Sequence, residues 1–185
     1  MASLRVLLAF SGLFLASSAP AQEVSSGPDS GKKVPPLKVF VATGPHKDKE
    51  ADYAAKRKEK PTIYLLIQAN QWDRPMARFV RKLDQALQKD NDDGVLVAVW
   101  LTDDPEKTKD YLPVAQEALM LQKTILACFS GDKAGPKDWN LNRDASLTAV
   151  VATKGKVSST FGYRSINETD APAVRDAYHK ALEKQ

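Results

Sequence analysis

Residues 60–75 of the chain read KPTIYLLIQANQWDRP, and this stretch decides the fold. Its first half, residues 62–68, is rich in β-branched and aromatic residues and almost wholly apolar, which is typical of a strand covered on both faces. It ends in Asp-Arg-Pro at residues 73–75, which supplies a polar cap and a proline near the first position of a helix. The stretch therefore predicts a buried strand that leads through a short polar turn into a helix.

The same alternation continues to the end of the chain. Apolar residues at helical spacing follow residue 75 as far as about residue 92. Further strands are predicted by apolar or alternating runs at residues 37–41, 95–101, 124–129, 147–152 and 157–163. Helices are predicted over about 105–123, with a kink or break at Pro113, and from about 169 onward.

This order predicts one α/β domain over residues 37–185. We expect a central mixed sheet of about five strands with helices on both faces, closed by an antiparallel hairpin around Lys154-Gly155. Residues 22–36, rich in Ser, Gly and Pro, predict an extended linker ahead of the domain. The mixed-charge stretch at 46–60 predicts a solvated face or loop.

The first residues are typical of a secretory signal peptide. A positive start at residues 1–5, an apolar run at 6–16 and Ala19-Pro20-Ala21 in the small-x-small pattern predict cleavage near Ala21. We therefore expect residues 1–21 to be removed and the chain to be periplasmic or secreted. The apolar run is shorter than the ~20 residues of a spanning helix, so we expect no membrane span in the mature chain.

The counts of reactive residues exclude several functions. The chain has 185 residues, one cysteine and two histidines, so an intrachain disulfide, a CxxC pair and a zinc site of Cys and His are not available. We expect no metal and no cofactor. The net charge of +4 comes without a pure basic patch, so we also expect no nucleic-acid binding. The lone Cys128 lies in an apolar run, which predicts a buried structural thiol.

The order of elements resembles the thioredoxin-like fold in its redoxin or thiol-disulfide oxidoreductase form. The resemblance covers roughly residues 37–185 and rests on Lys60-Pro61 before the apolar strand, the turn at 71–74, the strand at 95–101 with Asp103-Asp104, and the late hairpin at 146–157. The segments at 44–53, 74–75 and 139–143 are similar to an exported bacterial subgroup. That resemblance implies a fold and a compartment, with no established activity.

The chain departs from the family where the family carries out its chemistry. The two cysteine positions of the CxxC motif fall on Gln71 and Arg74, and the family's cis-proline falls near Ser146. An amide and a guanidinium can neither form a mixed disulfide nor attack a peroxide. The family's two-cysteine mechanism is therefore ruled out. We expect a binding or interaction module without enzymatic activity.

The candidate site is the set we call the strand-end face: Gln71, Trp72, Arg74, Arg143 and Ser146. The N-terminus of a helix offers backbone N–H groups to an anion, Arg74 can add a planar donor fork, and Trp72 an apolar platform. In this fold the loop at 139–144 approaches that helix N-terminus. We therefore predict that a partner protein or a small anionic ligand binds here.

Two alternatives remain open from the sequence. One is a redox enzyme that uses the single sulfur of Cys128. The other is an enzyme that binds a small anion through Arg74 and Arg143, with Asp103-Asp104 nearby, although an Asp before Pro105 is more simply a helix cap. Trp72 and Trp139 could equally be anchors that pack their loops onto the core.

Overall fold

The computed structural model describes residues 23–90, 93–132 and 134–183. Within these ranges the chain forms the strands β1 Glu23–Val24, β2 Lys38–Val41, β3 Lys49–Asp52, β4 Thr62–Gln68, β5 Val95–Leu101, β6 Thr124–Phe129, β7 Leu147–Thr153 and β8 Lys156–Tyr163. The α-helices are α1 Tyr53–Arg57, α2 Arg74–Asp90, α3 Pro105–Leu119 and α4 Ala171–Glu183. The signal peptide predicted at residues 1–21 lies outside the described residues.

All eight strands belong to one mixed sheet, in the order β1-β8-β7-β4-β5-β6-β2-β3. Strands β4, β5 and β6 are parallel, and the other neighbours pair antiparallel. The predicted number of about five strands was therefore wrong. The strands β1 and β3 lie at the two edges of the sheet. An edge strand pairs with one neighbour only, and its charged side chains can remain solvated. Such polar edge strands carry no apolar signal in the sequence, and β3 falls in the stretch predicted to be solvated.

The segment predicted to be a linker contacts the sheet. After β1, the hydroxyls of Ser26 and Thr148 are 2.6 Å apart and share a buried hydrogen bond. The backbone N–H of Gly31 donates to the carbonyl of Val157 at 2.8 Å. The segment is thus held along β7 and β8 before the chain enters β2.

Each face of the sheet has its own apolar layer. Alternate residues of β5 point to opposite faces, so that Ala98 and Trp100 join one buried cluster and Val97 and Val99 the other. The first cluster packs against α2, α3 and α4. The second is covered by the N-terminal lead-in, the start of α1 and the buried ring of Trp139. Helices therefore lie on both faces, but three of the four lie on one.

Two of the helix starts follow the caps that the sequence predicted. Met76 N donates to the carboxylate of Asp73 at 2.9 Å, and Lys107 N donates to the carboxylate of Asp104 at 3.1 Å. Pro113 lies inside α3, which runs as one helix from 105 to 119. No helix in the described part of the chain is long and apolar enough to cross a membrane.

Candidate functional site

The strand-end face forms where β4 ends and β7 begins. Residues 69–71 make one 3₁₀ turn after β4, and α2 follows. The strands are antiparallel, Ile67 pairs with Leu147, and the backbone N–H of Gln68 donates to the carbonyl of Ser146 at 2.9 Å. The turn at 69–71 lies where the fold's CxxC motif occurs, and it is therefore adjacent to the loop before β7.

A cavity of about 470 Å³ opens between this turn and this loop. Gln71, Arg143 and Ser146 all line it, so three of the five predicted site residues come together. Arg164, from the end of β8, lines it as well. The cavity therefore has a polar wall with two guanidinium groups.

The two guanidinium groups differ in their partners. Arg164 Nη2 lies 3.0 Å from a carboxylate oxygen of Asp144, and both side chains are largely exposed. Arg143 is exposed and has no hydrogen bond or ion pair with any of the residues described. Arg143 can therefore offer its planar donor fork to an incoming carboxylate or phosphate.

Ser146 is a structural residue of this face. It is 6% exposed, and its hydroxyl donates to the carbonyl of Tyr163 at 3.0 Å. Its backbone N–H donates to the same carbonyl at 2.7 Å. Both donors of Ser146 thus close the β7–β8 hairpin, and its hydroxyl proton is already used within the fold.

A second cavity, of about 390 Å³, adjoins the first, because Gln68 and Asn70 line both. Its wall is aromatic and contains Trp72, Trp100 and Tyr111. The indole N–H of Trp72 donates to the Tyr111 hydroxyl at 2.8 Å, and the rings of Trp72 and Trp100 meet edge to face at 4.8 Å between centroids.

The aromatic cavity continues onto an apolar surface of α3. Tyr111 is 44% exposed and Val114 is 61% exposed, one turn further along the helix. Trp72 is therefore neither an isolated exposed platform nor a fully buried anchor. It is the half-buried centre of an aromatic patch.

Arg74 does not join the other predicted residues, since it lines neither cavity. The anion site predicted at the N-terminus of α2 is also partly filled by the protein itself. The Asp73 carboxylate accepts from Met76 N at 2.9 Å, and Pro75 has no N–H to offer. An incoming anion would meet a carboxylate where the sequence suggested free donors.

The aspartates after β5 do not form a metal site. Asp104 caps α3 through Lys107 N. Across residues 23–90, 93–132 and 134–183, no group of three or more His, Cys, Asp or Glu side chains could hold a metal ion. The role of Asp104 as the N-cap of α3 accounts for its position.

Cys128 lies in β6, where it pairs with Trp100 of β5 and Phe40 of β2. Its side chain is fully buried, as the sequence predicted. Burial raises the pKa of the thiol, and the charge of Lys109 and a hydrogen bond to Ser130 only partly oppose it. The thiol is therefore covered and scarcely ionised at neutral pH.

Two residues of the site were missed from the sequence. Arg164 could have been found by counting outward from the Lys154-Gly155 turn, because the hairpin pairs Leu147 with Tyr163 and so puts residue 164 beside residue 146. Tyr111 gave no such signal. It lies on a helix that the sequence predicted, but its contact with Trp72 depends on how that helix packs.

Comparisons with known proteins identify the fold. No protein-family model matches the chain, and no curated protein is significantly similar to it in sequence. Among solved structures, a DsbF homologue from Corynebacterium diphtheriae is 16% identical, with a TM-score of 0.58, covering 90% of this chain and 99% of that one. A thiol peroxidase from Chromobacterium violaceum is 11% identical, with a TM-score of 0.59, covering 89% and 94%.

A yeast mitochondrial 1-Cys peroxiredoxin is also similar, at 11% identity and a TM-score of 0.60, covering 84% of this chain and 78% of that chain. The fold is therefore thioredoxin-like, which confirms the resemblance read from the sequence. Identities this low define the architecture alone.

Proposed function

We propose that this chain is a thioredoxin-like binding module that takes its ligand at the strand-end face and carries out no thiol chemistry. We further propose that it is exported, after cleavage near Ala21, to the periplasm or beyond. The observation that carries the proposal is the open cavity beside Gln71, at the position of the fold's CxxC motif, with the guanidinium of Arg143, which has no partner among the described residues, in its wall.

The size and chemistry of the two cavities support a ligand. Volumes of 470 and 390 Å³ fall within the roughly 300–1,000 Å³ of small-molecule sites. Arg143 supplies a donor fork for an anionic group, and the adjoining ring of Trp72 supplies an apolar contact. Exposed Tyr, Trp and Arg are also the residues that dominate protein interfaces. The proposed ligand carries an anionic group next to an apolar one, on a small molecule or on a partner protein.

The alternatives fit these observations less well. A redox enzyme using Cys128 would need a thiolate that reaches its substrate, and this thiol is fully buried with a raised pKa. An enzyme that binds an anion between Arg74 and Arg143 would need both guanidinium groups in one cavity. Arg74 lines neither of the two cavities. A binding module needs only the groups that the two cavities already bring together.

The binding test uses phenylacetate, which joins a carboxylate to an aromatic ring, and the neutral phenylacetamide of the same shape. In a nitrogen-15 NMR titration of the natural protein, we expect phenylacetate to shift amides near Gln71, Trp72 and Arg143, and phenylacetamide to shift them less. Arg143→Ala should weaken the affinity for phenylacetate by about tenfold, because it removes one charge-assisted hydrogen bond.

The matched control is Arg81→Ala, since Arg81 lies on α2 and lines neither cavity. It should bind phenylacetate as the natural protein does. Equal affinities of natural protein and Arg143→Ala would overturn the proposal, as would shifts confined to another part of the molecule. In parallel, insulin-disulfide reduction by the natural protein should equal that of Cys128→Ala.

A further inference from the structure

A cavity of about 770 Å³ lies at the opposite end of the sheet from the strand-end face. Thr62 pairs with Ala152 at one end of β4, whereas Ile67 pairs with Leu147 at the other. The turn after β7 is therefore remote from Ser146. We call this cavity the lysine cleft, after the four lysines in its wall: Lys33, Lys58, Lys154 and Lys156.

The body of the lysine cleft is apolar. One wall is the lead-in at residues 34–36, which reads Val-Pro-Pro and in which Val34 and Pro35 are half-buried and Pro36 is exposed, and the other is α1 with Ala54 and Ala55. Proline has no N–H and alanine has no polar side chain, so these walls offer a ligand hydrocarbon contact. The volume falls within the roughly 300–1,000 Å³ of small-molecule sites.

The charges around the cleft are predominantly positive. Lys33, Lys58 and Lys156 have no side-chain hydrogen bond or ion pair with any residue in the described ranges. Of the two carboxylates in the wall, Asp52 accepts from Leu37 N at 3.0 Å and from Ala55 N at 3.2 Å, and so caps α1. The other carboxylate is that of Glu59, so four ammonium groups and two carboxylates line the cleft. The excess of positive charge around an apolar cavity is complementary to an anion.

The backbone is strained at Lys58, the residue that ends α1. Its φ is 48° and its ψ is −115°, a region that glycine enters freely and lysine does not. Lys60 N donates to the carbonyl of Arg57 at 2.9 Å, which closes a turn with Lys58 at its second position. Glycine would make the same turn without strain, so the lysine is unfavourable for the fold and supplies a charge to the cleft.

From these observations we propose that the lysine cleft binds an amphipathic anion. Its hydrocarbon chain would lie between residues 34–36 and α1, and its carboxylate or phosphate head would lie against Lys58 and its neighbours. This site is separate from the strand-end face in place and in residues. It stands whether or not a ligand binds at Arg143.

The test compares three probes of one chain length by titration calorimetry of the natural protein and of Arg143→Ala: decanoate, decyl phosphate and the neutral 1-decanol, each below its micellar concentration. In the Arg143→Ala background, where the strand-end face is weakened, we expect both anions to bind with one site per chain and 1-decanol to bind at least about fivefold more weakly. Cosedimentation with phosphatidylglycerol vesicles, but not with phosphatidylcholine vesicles, would identify the head as that of a lipid. Binding of the free anions without cosedimentation would identify a free ligand.

Lys58→Gly separates the role of the charge from that of the fold. It removes one ammonium group and relieves the strained turn, so decanoate should bind about threefold to tenfold more weakly while the thermal midpoint does not fall. Lys58→Arg keeps the charge and should stay within about twofold of the natural protein. Lys56→Ala, on the same helix but outside the cleft, is the matched control.

Three results would overturn this inference: no binding of either anion, equal binding of 1-decanol, or unchanged affinity in Lys58→Gly. Arg143→Ala should retain the decanoate site that Lys58→Gly weakens. A loss in that variant alone would place the decanoate at the strand-end face and exclude the lysine cleft as its site.

Discussion

The single thiol of this chain, at Cys128, lies inside the sheet and away from the turn where the fold's CxxC motif occurs. The thiolate is the reactive form of cysteine, and burial raises the pKa of this thiol. We therefore predict that a disulfide reagent such as dithionitrobenzoate labels the folded protein slowly at neutral pH and labels it at once in denaturant. Because the chain has one cysteine, the absorbance reports Cys128 alone. Complete labelling of the folded protein within seconds would contradict the burial.

Tyr163 offers a residue-scale test of packing. Its hydroxyl is buried and has no hydrogen-bond partner among the residues described. A buried polar group without a partner costs about 1–3 kcal/mol, so Tyr163→Phe should raise the free energy of unfolding by about 1 kcal/mol in urea titrations. The control is Tyr111→Phe, whose exposed hydroxyl accepts from Trp72. It should give no gain, and a loss of stability in Tyr163→Phe would refute the interpretation.

At the scale of single residues, the sequence predicted Cys128 well and Arg74 poorly. Cys128 lies within an apolar run, and burial follows from the run itself. The direction of the Arg74 side chain depends on the residue at which α2 begins. The prediction placed its guanidinium with Arg143, whereas α2 carries it outside both cavities.

At the scale of elements, Asp84 fixes α2 to the start of β6. Its buried carboxylate accepts from the backbone N–H groups of Gln122 and Lys123 and from the hydroxyl of Thr124. Removing it leaves the buried hydroxyl of Thr124 and two part-buried backbone N–H groups without this acceptor. We predict that Asp84→Ala lowers the free energy of unfolding by about 3–5 kcal/mol.

The matched control for this variant is Asp110→Ala, an exposed aspartate of α3, which should change stability by less than about 0.5 kcal/mol. Both would be measured by urea unfolding followed through tryptophan fluorescence. Similar losses in the two variants would show that Asp84 does not link these elements.

The elements differ in how far the sequence could predict them. The strands β4 and β5 are long apolar runs, and α2 and α3 begin at Asp caps, so their bounds follow from local chemistry. The strand β3, with the sequence KEAD, has no apolar signal. It forms because the backbone of β2 presents a free edge, which is a tertiary condition. The candidate site depends both on local sequence and on tertiary packing. The positions of Arg143 and Ser146 follow from the predicted hairpin, whereas the position of Tyr111 follows from the packing of α3.

At the scale of the whole molecule, buried tyrosines make the fold sensitive to alkali. Burial raises the pKa of Tyr64 to about 12 from its ordinary 10.0, and burial also raises the pKa values of Tyr53 and Tyr163. The folded state favours the neutral phenol, so the contribution of these tyrosines to the free energy of unfolding is complete below about pH 10. It is lost as the pH rises from about 10 to about 12.

We therefore predict that the free energy of unfolding falls steeply above about pH 10, by up to about 1.4 kcal/mol per pH unit for each tyrosine. Urea titrations at steps of pH would measure it. Tyr64→Phe should show a shallower decline than the natural protein. A stability that is flat up to about pH 12 would contradict the burial of these rings.

The proposed function has this thioredoxin-like scaffold bind a ligand at the strand-end face without using its thiol. The missing CxxC motif excludes the two-cysteine mechanism, so the thiol chemistry left to test is that of Cys128 alone. The measurement is hydrogen peroxide consumption in the presence of dithiothreitol, compared between the natural protein and Cys128→Ala. We predict equal rates, both at the level of dithiothreitol alone. Faster consumption by the natural protein, lost in Cys128→Ala, would contradict it.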